Sequence, residues 1–567
     1  MLKSWSIKNF KPIVDSGELQ FAPVTVLAGR NSSGKSSLLQ SVLMIAQTLG
    51  SRLLDRPLLP NDRIVQLGTY EDILSEIAHS RTLELKFGLE MGDEEIKASP
   101  RLRTINRGSV KSAQFFVNFS SAIANGTLTS AIEASKVIVE HVHLEADTEL
   151  LPWMAQITPD STPRRISFDL QKVSDDDIQR FLENVSPEQQ RLVSLTHQNS
   201  SYLGHFEQIN DNSLQENLAD QYLVALSHFL PSRFTRKYNM GKRRKKMLES
   251  IIHQIFEISD ASSLTLRRMI RSLEPEYPIS QSLKDAINVL CKAHNINENF
   301  SGQTLEDLAY WVRELRKMSR KRKIFANIQE AVIQEYLNKN NDDQKFEGLE
   351  STIHNVYLEN LEQTTDQITS FFTSKIRYLG PLRADPQASQ KFGPSSELDD
   401  VGSKGEFAAA VYDANQAARI EWYNPQNGQI GKGKLKEALD CWAQYLGVAQ
   451  QIKTEMAGLS GVSWKIISKE GRKPRSLPEV GVGISQVLPI LVMGLLSPAN
   501  SLLIIEQPEL HLHPYVQARL GDFFMGLAKC KKQCLIETHS ENLVSQLRLH
   551  IVQAGGLEKS DCMIYFV

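Results

Sequence analysis

At 567 residues and 63.9 kDa, the chain is longer than a single hydrophobic core fills, so more than one compact unit is expected. Hydrophobic residues at 41% and charged residues at 23% exclude wholesale disorder and collagen-like or rod-like repeats. With 64 Lys and Arg against 66 Asp and Glu, the net charge of -2 supplies no global attraction to nucleic acid or anionic membrane, and any basic surface must be local.

In chain order, Trp5 to Phe10 and Val24 to Ala28 read as short strands, and the second runs through a glycine-bearing loop into an apolar-periodic helix, Ser36 to Leu49. Thr82 to Leu89, Val137 to Leu144 and Arg165 to Leu170 alternate as strands, separated by polar stretches that read as loops, and suggest a partly antiparallel sheet. From 175 to 373 the period turns helical: Leu305, Leu308, Val312 and Leu315 follow a Thr304-x-x-Asp307 cap, and Leu349, Ile353, Val356, Leu361, Ile368 and Phe372 form a second stripe. Gln426 to Lys436, rich in Gly and Lys, reads as an exposed loop. Ser501 to Glu506 and Gln533 to Thr538 are nearly all-apolar strands of the kind buried in a parallel sheet, and Met563 to Val567 reads as a strand that stops abruptly. The expected fold is α/β, with a head formed by 1–174 and 374–567 and a large, mainly helical insertion at 175–373.

Cys291, Cys441, Cys530, Cys534 and Cys562 are never in C-x-x-C spacing, which indicates neither a disulfide framework nor a zinc knuckle and fits a reducing cytoplasm. No export signal opens the chain, and the most apolar stretch, Val487 to Ile505, is broken by Pro489, Pro498 and Asn500, so no membrane span is expected.

Gly29-Arg30-Asn31-Ser32-Ser33-Gly34-Lys35-Ser36 fits G-x-x-x-x-G-K-[ST] between a predicted strand and a predicted helix. Glycines there let backbone N–H groups turn onto a β-phosphate, and the helix N-terminus adds partial positive charge. Gly29, Asn31, Ser33, Gly34, Lys35, Ser36 and Ser37 are therefore the expected nucleotide-binding group, with Lys35 on the β and γ oxygens and Ser36 on Mg²⁺. The cation also needs a fixed carboxylate, expected on the strand beside the P-loop strand; Glu506, ending Ser501 to Glu506, supplies it. Three placements stay open between two readings each. His539, after the strand Gln533 to Thr538, is a γ-phosphate contact or a structural histidine. His511-x-His513 is a loop pair or a zinc chelate. Gln66 is a ligand bridging Mg²⁺ and water or an exposed loop glutamine.

The order P-loop, Glu506-Gln507-Pro508-Glu509-Leu510-His511-Leu512-His513-Pro514, then Thr538-His539-Ser540, resembles the ABC-type ATPase heads of the RecF, SMC and OLD group, particularly its stand-alone OLD-like members. Ile7-Lys8-Asn9-Phe10-Lys11, Tyr378-Leu379-Gly380-Pro381-Leu382-Arg383 and Val480-Gly481-Val482-Gly483-Ile484-Ser485-Gln486 add to it; the match spans about 1–90 and 374–567 and omits the insertion. The resemblance implies that Glu506 holds Mg²⁺ through water, that His511 and His513 occupy the D-loop, and that His539 is the switch histidine. It also makes Gly483 and Ser485 the signature that caps the γ-phosphate bound by a second copy, and so implies a head-to-head dimer around two ATP molecules. Taken as a bare pattern, that segment is a tight turn and helix cap. Many relatives carry a second acid where this chain has Gln507, and an amide orients water without accepting its proton, so slow hydrolysis is expected, with Glu509 as the alternative base.

No Asp-x-Asp pair follows His539, as the TOPRIM nuclease of OLD proteins proper would require. The role implied is a sensor or regulatory ATPase of a bacterial anti-phage defence complex with a separate effector such as an HNH nuclease, as in Septu-type systems. A DNA-repair or chromosome-maintenance ATPase acting directly on DNA, and a scaffold with structural ATP, are the alternatives. Two basic runs in the insertion, Arg233 to Lys246 and Arg313 to Lys323, suit nucleic acid, a partner protein or a solvated face alike.

Overall fold

Val24–Ala28, buried at every residue, lies inside a five-stranded parallel sheet in the computed structural model. The structure describes residues 1–30, 33–78, 80–90, 108–124, 127–143, 164–172, 174–183, 185–187, 189–190, 202–208, 222–239, 248, 251–253, 255–256, 279–294, 296, 299–318, 322–333, 351–356, 359–392, 399–468, 473–552 and 559–567. Across the sheet the order is Ile376–Leu379, Leu502–Glu506, Gln533–Thr538, Val24–Ala28, Cys562–Phe566, with every neighbouring pair parallel. Runs such as Leu502-Leu503-Ile504-Ile505 lack alternation because both faces of this sheet are covered. One apolar cluster joins Val26, Leu503 and Ile536 of the sheet to Trp442, Leu491, Phe523 and Leu547 of four helices, Leu435–Leu446, Val482–Leu496, Pro514–Lys529 and Glu541–Val552. Trp442 meets Phe523 edge to face at 5.0 Å, the geometry aromatic quadrupoles favour.

A second, antiparallel sheet runs Tyr222–Ser227, Tyr202–Gln208, Arg164–Lys172, Thr127–His143, Gly108–Ala124, Leu83–Glu90, Leu2–Phe10, Ile13–Asp15. Trp5, Phe87 and Phe115 stack along one face at 5.7 and 5.5 Å, with Phe372 edge-on to Phe87. The strand Gly108–Ala124 was not expected, because Ser109, Ser112, Asn118 and Ser120 read as loop residues. Ala113, Phe115, Val117 and Phe119 are in fact buried alternately, and the polar residues between them take the other face.

The chain divides into two compact units, one of residues 1–172, 199–234 and 357–567, the other of 173–198 and 235–356. These boundaries differ from a single insertion at 175–373, since the strands Tyr202–Gln208 and Tyr222–Ser227 and the helix Glu359–Ser370 belong to the first unit. The second unit holds helices Asp175–Leu182, Gln281–Ala293, Leu305–Met318 and Arg322–Ile333, and Leu283, Ile287, Leu308, Val312, Leu315 and Ile328 share its core. Thr304 and Asp307 cap as expected: the Asp307 backbone N–H donates to Thr304 Oγ1 at 3.2 Å and the Thr304 N–H to Asp307 Oδ2 at 2.9 Å. The stripe from Leu349 to Phe372 is not one helix, because Ser351–Val356 is a strand and the helix starts at Glu359. Its β-branched Thr352, Ile353 and Val356 favour extended backbone. Of Gln426 to Lys436, the part Gln429–Lys434 is a mostly exposed strand paired in a hairpin with Arg419–Asn424, whereas Leu435 is buried and opens the helix Leu435–Leu446. Lys242 to Lys246 of the first basic run lie outside the described residues.

Candidate functional site

The P-loop strand ends at Ala28 and the chain turns at Gly29, whose φ is 143° and where an added Cβ would stand 2.3 Å from the backbone oxygen of Val567, so glycine is obligatory. Gly34, at φ 98°, is the N-cap of the helix Lys35–Gly50, so the first N–H groups of that helix face the loop. Asn31 lies outside the described residues. Lys35 is only 2% exposed: its Nζ donates to Gly29 O and Ser33 Oγ, both at 3.2 Å, and to Arg30 O. It therefore closes the loop on itself as well as carrying the charge a phosphate needs.

Ser33, Gly34, Lys35, Ser36 and Ser37 form one side of a cleft of about 510 Å³, within the range of small-ligand sites. Gln507, Glu537 and His539, from the ends of two neighbouring strands, form the other. Glu537 escaped the sequence reading. Ser36 Oγ donates to its Oε1 at 2.9 Å, and its Oε2 is buried without a partner. The signal was present, since Leu535-Ile536-Glu537 repeats the pattern Ile504-Ile505-Glu506: two apolar strands each end in an acid. Register pairs Glu506 with Glu537. Contrary to expectation, the strand bearing Glu506 is not beside the P-loop strand; Gln533–Thr538 lies between them.

Glu506 is held from the far side. Tyr378 OH donates to its Oε1 at 2.8 Å, and the buried Arg383 donates from Nη1 to its backbone oxygen at 3.0 Å and to Gly380 O. Burial pushes the Glu506 carboxyl up to about 7, the Tyr378 hydrogen bond opposes this, and Glu537 adds to it. Burial likewise pulls Arg383 down to about 10, against the pull of Glu506, Tyr378 and Glu509. The Tyr378 to Arg383 segment thus serves to position Glu506. Ser36, Glu506 and Glu537 offer only oxygen donors, two of them carboxylates and one with a buried orphan atom, and this set fits a hard divalent cation.

Gln507 sits at φ 44° with its N–H on Glu537 O at 2.7 Å. His539 Nδ1 lies 2.8 Å from Gly29 O; a carbonyl only accepts, so Nδ1 donates and Nε2 is the ring nitrogen left for a ligand. Both carboxylate oxygens of Glu509 are engaged, by the Thr538 hydroxyl and the His539 N–H. His513 Nδ1 accepts from Tyr515 N at 3.2 Å and caps the helix that Pro514 opens. Among the described residues, no group of three or more His, Cys, Asp or Glu could hold a metal, so the zinc reading of His511-x-His513 finds no third ligand. Of the expected residues, Gly29, Gln66, Gly483, Ser485, Glu506 and Glu509 do not line the cleft; Gly29 and Glu509 reach it through His539, and Glu506 through its strand neighbour Glu537. Gln66 is exposed and pairs its backbone with Asn61. Ser485 is buried, its hydroxyl donating to Val482 O at 2.6 Å, and a Cβ on Gly483 would stand 3.1 Å from His511 O.

A parallel sheet with this P-loop and these acidic strand ends defines an α/β P-loop ATPase head. The family model described as AAA ATPase domain matches residues 1–544, and the chain belongs to that family. Three solved structures align over 96% of the chain. The SMC head domain of Pyrococcus furiosus, with an extended coiled coil and bound to the C-terminal domain of ScpA, shares 11% identity over 91% of its own length at a TM-score of 0.29. The SMC head of Thermotoga maritima gives 8%, 91% and 0.27, and that of Pyrococcus yayanosii, with a coiled coil and joint, 12%, 93% and 0.32. Identities and scores this low assign no function to the chain. No curated protein matches it. No described helix is long and apolar enough to cross a membrane.

Proposed function

We propose that the protein binds ATP with Mg²⁺ in the P-loop cleft and hydrolyses it slowly, as a nucleotide-dependent switch. The observation that carries this is the Ser36 to Glu537 contact with its orphan carboxylate oxygen, facing the helix N-terminus and Lys35 across one cleft. Gly29, Ser33, Gly34 and Ser37 supply backbone and hydroxyl donors to the phosphates, Lys35 exchanges its loop carbonyls for phosphate oxygens, and Asn31 belongs to the same loop. Ser36, Glu506 and Glu537 would hold the cation, whose bound charge neutralises the transferring phosphate. Gln507 orients water without accepting its proton, which keeps turnover low. Gly483 and Ser485 lie outside the cleft and are assigned to a partner's nucleotide, so ATP joins two heads. Gln66 is assigned to the cation only in that closed state.

The wider role assigned is the regulatory ATPase of an anti-phage complex with a separate nuclease effector; it rests on the motif resemblance over 1–90 and 374–567. In the calorimetric test, ATP with Mg²⁺ binds the parent saturably and Lys35→Ala abolishes binding. Because Lys35 also closes the loop, a melt of the variant is run beside the titration. Equal affinity in the two proteins removes the P-loop assignment, and an ATP-independent mass on sizing removes the dimer.

A further inference from the structure

Two loops meet beside the cleft. One follows Leu502–Glu506 and bends through two non-glycine residues at positive φ, Gln507 at 44° and His511 at 59°. The other follows Gln533–Thr538 and carries His539. Their link is Glu509, only 8% exposed. Its Oε2 accepts from Thr538 Oγ1 at 2.8 Å and its Oε1 from the His539 backbone N–H at 2.6 Å. Thr538 Oγ1 in turn accepts from Ser540 N at 3.0 Å. Gln517 makes a second tie, donating from Nε2 to Leu512 O at 2.9 Å and accepting from Ser540 Oγ at 2.7 Å. On its outer side the first loop meets the start of the helix Val482–Leu496, where Gly483 leaves room for His511 O.

A carboxylate with both oxygens committed to donors, one of them a main-chain N–H, is poorly placed to take a proton from water. It is well placed to fix where the next residue sits. We infer that Glu509 is a positioning residue that sets His539 against Gly29 and makes its place in the cleft follow the loop touching Gly483, and that it is not the base that activates water. The inference rests on the ATPase reading for its effect on turnover; the clamp itself does not.

The experiment compares the parent with Glu509→Gln and Glu509→Ala in the full chain. The glutamine keeps an acceptor for the His539 N–H, and its amide can donate to the rotatable Thr538 hydroxyl, so it preserves the clamp while abolishing any base. Amide hydrogen exchange over 537–541 reads the clamp without nucleotide, and steady-state ATP hydrolysis reads its consequence. Expected are parent-like exchange and turnover within about threefold for Glu509→Gln. For Glu509→Ala, exchange is at least about tenfold faster and kcat falls about 10²-fold, with KM moving far less, as misplacement of a cleft group produces. If Glu509→Gln is as inactive as Glu509→Ala while exchange stays parent-like, Glu509 is the base and the inference fails. Unchanged exchange in Glu509→Ala overturns the clamp. A parent that binds no ATP refutes the ATPase reading and the effect on turnover, while exchange still decides the clamp.

Discussion

Glu506 and Glu537 end neighbouring parallel strands in register, yet their surroundings differ. Glu506 takes a hydrogen bond from Tyr378, has the Arg383 guanidinium on its backbone oxygen, and is pushed toward the protonated form, first by burial. Glu537 takes the hydroxyl of Ser36 and keeps one buried oxygen unpartnered. The difference separates two tasks: Glu537 faces the P-loop with ligand capacity to spare, and Glu506 is braced from the far side as the second carboxylate of the pair. The residue placed first by an apolar-strand-plus-acid search is therefore not the one that touches the P-loop serine.

The largest test of this contrast adds a third acid. Gln507→Glu places a carboxylate next to Glu506 where water activation is missing, and initial-rate assays are expected to show at least about a tenfold gain in turnover. No gain means that head closure or water placement limits the rate. A smaller effect comes from removing the brace. Tyr378→Phe deletes the hydrogen bond that opposes the upward shift of Glu506, so this carboxyl is more protonated near pH 7 and the Mg²⁺-dependent part of ATP affinity falls about 2- to 10-fold. The same variant at pH 8.5, roughly a unit and a half above the parent's value of about 7, regains most of it, because the acid is then ionised again.

The smallest effect is at the opposite end of the strand that carries Glu537. Lys532 is buried and donates from Nζ to Gly494 O and Leu495 O at 2.8 and 2.9 Å, at the C-terminal end of Val482–Leu496, and burial pulls it from 10.5 down to about 8. Its folded value lies below the unfolded one, so between them the unfolded chain binds the extra proton and stability rises with pH from about 8 to about 10.5. Denaturation midpoints of Lys532→Met should lose that slope, at most about 1.4 kcal/mol per pH unit. An unchanged slope means that Lys532 titrates like a solvated lysine.

The P-loop was legible because its chemistry fixes a spacing, and Leu502–Glu506 and Gln533–Thr538 because burial on both faces demands unbroken apolar runs. The order of those strands was not legible, since nothing along either run says which one inserts beside Val24–Ala28; hence Glu537 passed as the end of a core strand. The resting partners of Lys35, Gly29 O and Ser33 Oγ, were not legible either, because a motif names the ligand a side chain meets and not what holds it beforehand. The strand Gly108–Ala124 was lost to its serines, and Ser351–Val356 to a helical period that its neighbours share.

The most direct measurement is the Mg²⁺ dependence of ATP affinity, by calorimetry, in the parent, Glu506→Gln and Glu537→Gln. Two carboxylates around one cation predict that both variants lose most of the Mg²⁺-dependent gain, about 10-fold or more, and that Glu537→Gln loses at least as much as Glu506→Gln while both still bind ATP without metal. A Glu537→Gln protein with the parent's full Mg²⁺ dependence would contradict this, leaving Glu506 alone on the cation and Glu537 a structural partner of Ser36.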